Sequence, residues 1–186
     1  MLLSELLNKL GAFEKIKFDF DVLALTSSSA TASFSVPFLC VRGEKQDGHD
    51  FIKDAYKRGA RTFFVCKKIS GYSDCNVIFV ENTRKFLAEA SFALVADATA
   101  GLKIIAVTGT KGKSTTAFAL YSILTSLGAR TAFIGSLGFF GIPKRKTENT
   151  TPSSEVIAEA IREASCLGCT YFILEASSQA VKENRI

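Results

Sequence analysis

Thr108-Gly109-Thr110-Lys111-Gly112-Lys113-Ser114-Thr115 concentrates residue types that can hold a nucleotide's phosphates. An apolar run, Ile104 to Val107, precedes it, and an amphipathic stretch to Leu127 follows. Strand, glycine turn, then helix is the setting a phosphate-binding loop requires. Gly109 and Gly112 let the backbone turn tightly, so that successive N–H groups aim at phosphate oxygens. The helix that follows presents its positive N-terminal end to the same anion. Lys113 would neutralise charge between the β- and γ-phosphates, and the Ser114 hydroxyl would ligate Mg²⁺. Thr108, Thr110, Lys111 and Thr115 complete the nucleotide-binding set, and the expected ligands are a nucleoside triphosphate and Mg²⁺. The spacing is G-x-x-G-K-S, with Val107 where the longer G-x-x-x-x-G-K-[ST] pattern has its first glycine. Glu175 follows the apolar run Tyr171 to Leu174. Ligands of doubly wound sheets sit beyond the C-terminal ends of strands. Glu175 is therefore expected to share a Mg²⁺ with Ser114 and, with Lys113, to be catalytic, since Mg²⁺ prefers hard oxygen ligands.

These residues need elements to hold them. Leu2 to Leu10 reads as a short amphipathic helix ending near Gly11. Residues 18–25 alternate loosely and predict a strand, and residues 26–35 a loop. Phe38 to Arg42 predicts a strand, and Gly43 to Gly48 a polar turn. A helix follows, with Asp50 as cap, Phe51, Ile52, Ala55 and Tyr56 as apolar face and Gly59 at its end. Thr62 to Cys66 and Val77 to Val80 are strand-like, and Asn82 or Thr83 starts another helix. Residues 97–101 are small and turn-prone and mark the expected boundary between domains 1–101 and 102–186. After it come a strand (Ile104 to Val107), the helix to Leu127, and a strand (Thr131 to Ile134). A looser stretch, 135–150, leads to a helix opened by Thr151 as cap and Pro152 at its first position, and then to the strand before Glu175. This alternation predicts a mainly parallel sheet with helices on its faces. The fold class is α/β: a small N-terminal α/β domain, then part of a P-loop nucleotide-binding domain with a mainly parallel sheet. The chain stops at Ile186, a few residues past a strand, and reads as a piece of a longer protein.

The bulk numbers fit. The 186 residues are 47% hydrophobic and 22% charged, enough to build a core. Apolar stretches are strand-sized and interrupted by charges, so no membrane span is expected. The start lacks the build of a signal peptide, and a cytoplasmic protein is expected. The net charge is +5. The Lys and Arg are scattered without interleaved aromatics, which argues against a nucleic-acid partner; the charge reads first as a solvated basic surface and otherwise as a match for a small polyanionic substrate. Five cysteines (Cys40, Cys66, Cys75, Cys166, Cys169) at irregular spacing argue against a disulfide framework. Cys166 and Cys169 have C-x-x-C spacing but lack a second pair, and His49 is the single histidine, so a zinc site is not expected.

The loop T-G-T-x-G-K-S-T resembles the nucleotide loop of the Mur ligases and of the related folylpolyglutamate synthetases. Gly43-Glu-Lys-Gln-Asp-Gly-His-Asp-Phe-Ile52 resembles the N-terminal signature shared by the MurE and MurF types. Asn149-Thr150-Thr151-Pro152 resembles the MurE-type substrate motif, and Glu175-Ala-Ser-Ser-Gln179 its E-x-S-S-H segment, continued by Asn184-Arg185-Ile186. The resemblance covers essentially the whole chain, in order, and is to the Mur ligase family, MurE type (UDP-N-acetylmuramoyl-tripeptide synthetases).

The resemblance implies an N-terminal domain gripping the substrate's uridine diphosphate, a central ATPase domain, and a C-terminal amino-acid domain that this chain lacks. It implies ATP-driven addition of a third amino acid, meso-diaminopimelate or L-lysine, to UDP-N-acetylmuramoyl-L-alanyl-D-glutamate through an acyl phosphate. These 186 residues alone are not expected to complete catalysis. Ser29 matches a serine near the uridine site, flanked by Ser28 and Ala30 where the family has Asp and Arg. Asn149, Thr150 and Thr151 match contacts to the muramoyl-peptide, and Ser177 and Arg185 match other substrate contacts. Gln179 replaces the usual His, Glu183 a common Gln, and Lys111 the commonest Asn. A monomer is implied, with no nucleic-acid or membrane partner. The alternatives are a MurF or folylpolyglutamate synthetase-like ligase, or a truncated non-catalytic nucleotide-binding module.

Overall fold

The computed structural model describes all residues except Phe13, Glu44, Lys45, Ile142, Pro143 and Glu148. Part of the polar turn expected over 43–48 therefore lies outside the described residues. The chain forms two compact units, Met1–Leu94 and Val95–Ile186.

In the first unit, α1 (Leu3–Lys9) buries Leu3, Leu6 and Leu7 on one face. Three strands, β1 (Phe38–Leu39), β2 (Thr62–Val65) and β3 (Asn76–Phe79), form a parallel sheet in the order β1-β2-β3. β2 is central and wholly buried, as its run Thr-Phe-Phe-Val implies. β3, at the edge, alternates buried and exposed residues. α2 (Ile52–Lys57) and α3 (Thr83–Leu94) complete the unit. Asn82 caps α3, its Oδ1 accepting from the N–H groups of Arg84 and Lys85 at 3.1 and 3.0 Å.

Two expectations fail here. Residues 18–25 form no strand: only a single antiparallel bridge, Leu2 with Asp21, involves them. Their backbone is spent one bond at a time, Phe20 O accepting from Leu3 N–H and Leu23 N–H donating to Ser35 O, while Val22 and Leu25 enter the core. Loose alternation fixed which side chains go inward without fixing a ladder. Asp50 is not the cap before α2. A 3₁₀ turn, Gly48–Phe51, precedes that helix, and Asp47 caps it by accepting from His49 N–H at 3.0 Å.

In the second unit, β4 (Lys103–Val107), β5 (Thr131–Gly135), β6 (Gly138–Phe140) and β7 (Tyr171–Glu175) form one sheet in the order β4-β7-β5-β6. β7 pairs in parallel with β4 and β5, and β6 joins antiparallel to β5. β6 lies inside the stretch read as loose, because it is a three-residue hairpin arm too short to show a period. α4 (Lys113–Ser126) packs on β5 and β7. Ala117, fully buried, packs with Phe133 of β5 and Ile173 of β7. Phe118 meets Phe133 and Phe140 edge-on at 5.9 and 5.4 Å, a favoured aromatic geometry that holds α4 against the sheet. α5 (Ser154–Cys166) packs against β5, and α6 (Ser178–Lys182) follows β7. The 3₁₀ turn Asp97–Thr99, on the expected boundary segment, packs against α5. Ser153, not Thr151, occupies the N-cap of α5. Among the described residues, no helix is long and apolar enough to cross a membrane.

Candidate nucleotide and metal site

β4 ends at Val107, paired in register with Glu175 at the end of β7. The chain leaves the sheet there, and Thr108, Gly109, Thr110, Lys111 and Gly112 are all exposed. Gly112 is the N-cap of α4 at φ 76°, a left-handed conformation that costs a side-chain-bearing residue about 1–2 kcal/mol. The first N–H groups of a helix lack intrahelical partners and carry its positive end, so this turn presents donors to solvent. Lys113, the first residue of α4, folds back and donates from Nζ to Gly109 O at 2.7 Å. Its ammonium thus lies over the loop rather than along the helix. Thr115 is exposed one residue past Ser114.

Glu175 is fully buried. A buried carboxylate is costly unless hydrogen-bonded, and this one is. Ser114 Oγ donates to Oε2 at 2.8 Å, and Ser136 N–H donates to Oε1 at 3.1 Å. Ser136 Oγ stands 3.2 Å from Oε2 and 3.0 Å from Thr150 Oγ1. Gly135, the last residue of β5, leaves the room: a Cβ there would lie 2.2 Å from Glu175 Oε1. Three adjacent strand ends therefore converge on one carboxylate. Among the described residues no cluster of three or more His, Cys, Asp or Glu could hold a metal by itself. One carboxylate with flanking hydroxyls instead fits Mg²⁺, which takes one or two protein carboxylates and fills its shell with phosphate oxygens and water. Ser114, Glu175 and Ser136 are the residues that would hold it.

The substrate-motif residues divide. Thr150 joins the Glu175 cluster through Ser136, and Asn149 is exposed. Thr151 is buried: its Oγ1 donates to Glu175 O at 2.7 Å and accepts from Ser177 N–H at 2.9 Å. This hydroxyl ties Thr151 to the end of β7, which explains why it does not cap α5. Ser177 caps α6, accepting from Ala180 N–H at 3.2 Å. Arg185 Nη1 donates to Thr151 O at 3.0 Å. Ser29 lies in the first unit, in a turn closed by Thr31 N–H donating to Ser28 O at 3.2 Å, and is half-buried. Sequence reasoning missed Ser136 and Gly135. A signal existed: Gly135 ends, and Ser136 directly follows, the strand after the phosphate loop, where the switch-point rule already directs attention.

In the first unit, the signature residues Asp47 and His49 serve structure. Asp47 Oδ1 lies 2.6 Å from His49 Nδ1, and Lys67 Nζ donates to Asp47 Oδ2 at 2.9 Å. Burial alone would raise the Asp47 carboxyl. Hydrogen bonds from the His49 backbone, Lys67 and the His49 ring outweigh it and hold the group well below the usual carboxylate range. His49 Nε2 accepts from Cys66 N–H at 3.3 Å, pinning the end of β2.

Comparison with known proteins agrees with this architecture. The family model described as Mur ligase middle domain matches residues 107–186, and that described as Mur ligase family, catalytic domain, matches residues 26–93. A UDP-N-acetylmuramoyl-L-alanyl-D-glutamate–2,6-diaminopimelate ligase from Clostridium perfringens is 39% identical over 150 residues, covering 80% of this chain and 31% of that protein. A solved structure of a ligase of the same name superposes with a TM-score of 0.72 at 24% identity, over 87% of this chain and 33% of that one. MurF from Thermotoga maritima, solved in complex with ADP, superposes with a TM-score of 0.60 at 21% identity, over 84% of this chain and 32% of that one. The chain spans about a third of the length of the curated relatives it matches. With two of that family's models matching in order along the chain, and the phosphate loop opening the middle-domain match, this protein belongs to the Mur ligase family.

Proposed function

We propose that this chain supplies the nucleotide-binding part of a MurE-type amide ligase, which adds meso-diaminopimelate to UDP-N-acetylmuramoyl-L-alanyl-D-glutamate at the expense of ATP. The observation that carries the reading is the buried Glu175 bonded to Ser114 at 2.8 Å beside the phosphate loop. The second unit takes ATP. Thr108 to Gly112 and Thr115 surround the phosphates with backbone amides and hydroxyls, and Lys113 moves from Gly109 O to the β- and γ-phosphates. Mg²⁺, when bound to Ser114 and Glu175, screens phosphate charge. The first unit, with Ser29, takes the uridine diphosphate. Asn149, Thr150, Thr151, Ser177 and Arg185 position the muramoyl-peptide.

The substrate's D-glutamate carboxylate then attacks the γ-phosphorus, giving an acyl phosphate and ADP. The amino acid's amine attacks the acyl carbon and phosphate leaves. The first step brings two anions together, and in the second a neutral amine loses its proton as phosphate leaves, so the chain's main work is in-line positioning and charge screening. The curated relative's name favours diaminopimelate over L-lysine. The MurF likeness, at 21% identity, speaks to fold alone. A monomer in the cytoplasm, where ATP and nucleotide sugars are available, completes the reading. Calorimetric titration of the chain with Mg·ATP and, separately, with UDP-N-acetylmuramoyl-L-alanyl-D-glutamate tests it. Saturable heat is expected for both, and its absence for both would overturn the proposal.

A further inference from the structure

Glu183 and Arg185 flank the turn after α6. Asn184 between them has φ 51°, so the chain folds back and brings the two side chains together. Glu183 Oε2 accepts from Arg185 Nε at 2.9 Å and lies 2.6 Å from Nη2. Gln179 Nε2 donates to the other oxygen, Oε1, at 2.7 Å. Across the guanidinium, Nη1 donates to Thr151 O at 3.0 Å. Thr151 in turn holds the backbone of Glu175. The two side chains are only 19% and 24% exposed, so water and salt screen the pair incompletely. A guanidinium carries five N–H donors, and these contacts engage three of them. Donor capacity remains for an incoming anion, but a full negative charge already sits against it.

We infer that Glu183 is a specificity-determining residue of the substrate site. Its carboxylate offsets the charge of Arg185 and weakens the grip of that corner on densely charged anions, while Thr151 O keeps the guanidinium aimed. The inference rests on the reading of Arg185 as a substrate contact. Geometry and charge are separable here. A glutamine at 183 keeps an oxygen that can accept from Arg185 and removes the negative charge; its new amide N–H faces Gln179, whose amide turns over to accept where it now donates to Oε1, so Glu183→Gln frees Arg185's field without dismantling the turn.

The test is calorimetry on this chain with UDP-N-acetylmuramoyl-L-alanyl-D-glutamate as probe, at low and at high salt, for wild type, Glu183→Gln and Arg185→Gln. Glu183→Gln is expected to bind about three- to tenfold more tightly at low salt, the size of a partly exposed charge–charge contact. That gain should shrink as salt screens the partly exposed charges. Arg185→Gln is expected to bind more weakly than wild type. Unchanged or weaker binding by Glu183→Gln, or a gain indifferent to salt, overturns the inference. If Arg185→Gln still loses affinity in that case, the reading of Arg185 stands and only the role of Glu183 falls. If Arg185→Gln binds as wild type does, the reading of Arg185 fails and takes the inference with it.

Discussion

Gly135→Ala should damage both stability and nucleotide binding, through a single added methyl group. Gly135 ends β5 in a conformation open to any residue, so the backbone tolerates alanine. A gain of about 0.4–1 kcal/mol would follow from the stiffer unfolded chain if space allowed. Space does not allow it. The new Cβ would lie 2.2 Å from Glu175 Oε1, 2.5 Å from Cδ and 2.7 Å from Cγ. Glu175 is fully buried and has nowhere to swing without breaking its bonds to Ser114 Oγ and Ser136 N–H. Forcing extra volume into a packed site costs about 1–3 kcal/mol, and each lost bond to a charged group about 1.5–3 kcal/mol. Partial relaxation makes the expected net loss about 2–4 kcal/mol, which for a domain of this size lowers Tm by roughly 8 °C or more. Displacing the carboxylate should also weaken Mg·ATP about tenfold or more, equivalent to about 1.4 kcal/mol or more. Gly101→Ala is the control, since nothing lies within 4 Å of a Cβ there. Thermal unfolding and Mg·ATP calorimetry on both variants read the effect. If Gly135→Ala melts and binds as Gly101→Ala does, the carboxylate does not occupy the space assigned to it.

Other consequences follow from the same geometry. Thr151→Val removes the hydroxyl that serves both Glu175 O and Ser177 N–H, and urea unfolding should show a loss of about 1–3 kcal/mol from the groups left unpaired. Asp47→Asn should cost about 1–3 kcal/mol at neutral pH. The Asp47 carboxyl is held low in the folded protein, so its contribution is present above the unfolded value of about 3.9 and fades as pH falls through the folded one. The stability difference between wild type and variant, measured from pH 8 down to 2, should therefore be constant near neutrality and shrink below about pH 4. Burial pushes the Cys40 thiol to about 12 and, with Asp74 adding to it, the Cys75 thiol to about 11. Mass spectrometry after iodoacetamide at pH 8 should find the exposed Cys166 alkylated in the native protein, and Cys40 and Cys75 modified only once it unfolds.

What the residues disclosed in advance divides by physical cause. The strand before the phosphate loop, its helix, and the Ser114–Glu175 pairing were legible, because each rests on a local pattern plus one rule about strand ends. The place of Thr151 was not. A threonine before a proline reads as a cap, and only the neighbouring end of β7 reveals that its hydroxyl is needed by Glu175 O. Asp50 reads as a cap for a similar reason: the 3₁₀ turn that moves the cap to Asp47 has no period of its own. Residues 18–25 alternate as a strand does, yet their backbone hydrogen bonds to other segments are divided among Met1 and Leu3, Ser35 and the Asn76 side chain. β6, the turn after β5 and the close approach of Gly135 to Glu175 are tertiary facts, which single residues did not announce.

The most direct test of the phosphate-loop assignment is calorimetric titration of Mg·ATP into the wild-type chain and into Lys113→Ala. Lys113 is half-exposed at the first turn of α4, so the substitution should leave the fold intact. Expected is saturable binding by wild type, weakened about tenfold or more in the variant, as for loss of a charged hydrogen bond worth about 1.5–3 kcal/mol. Equal affinity in the two proteins, or no binding by wild type, would contradict the assignment.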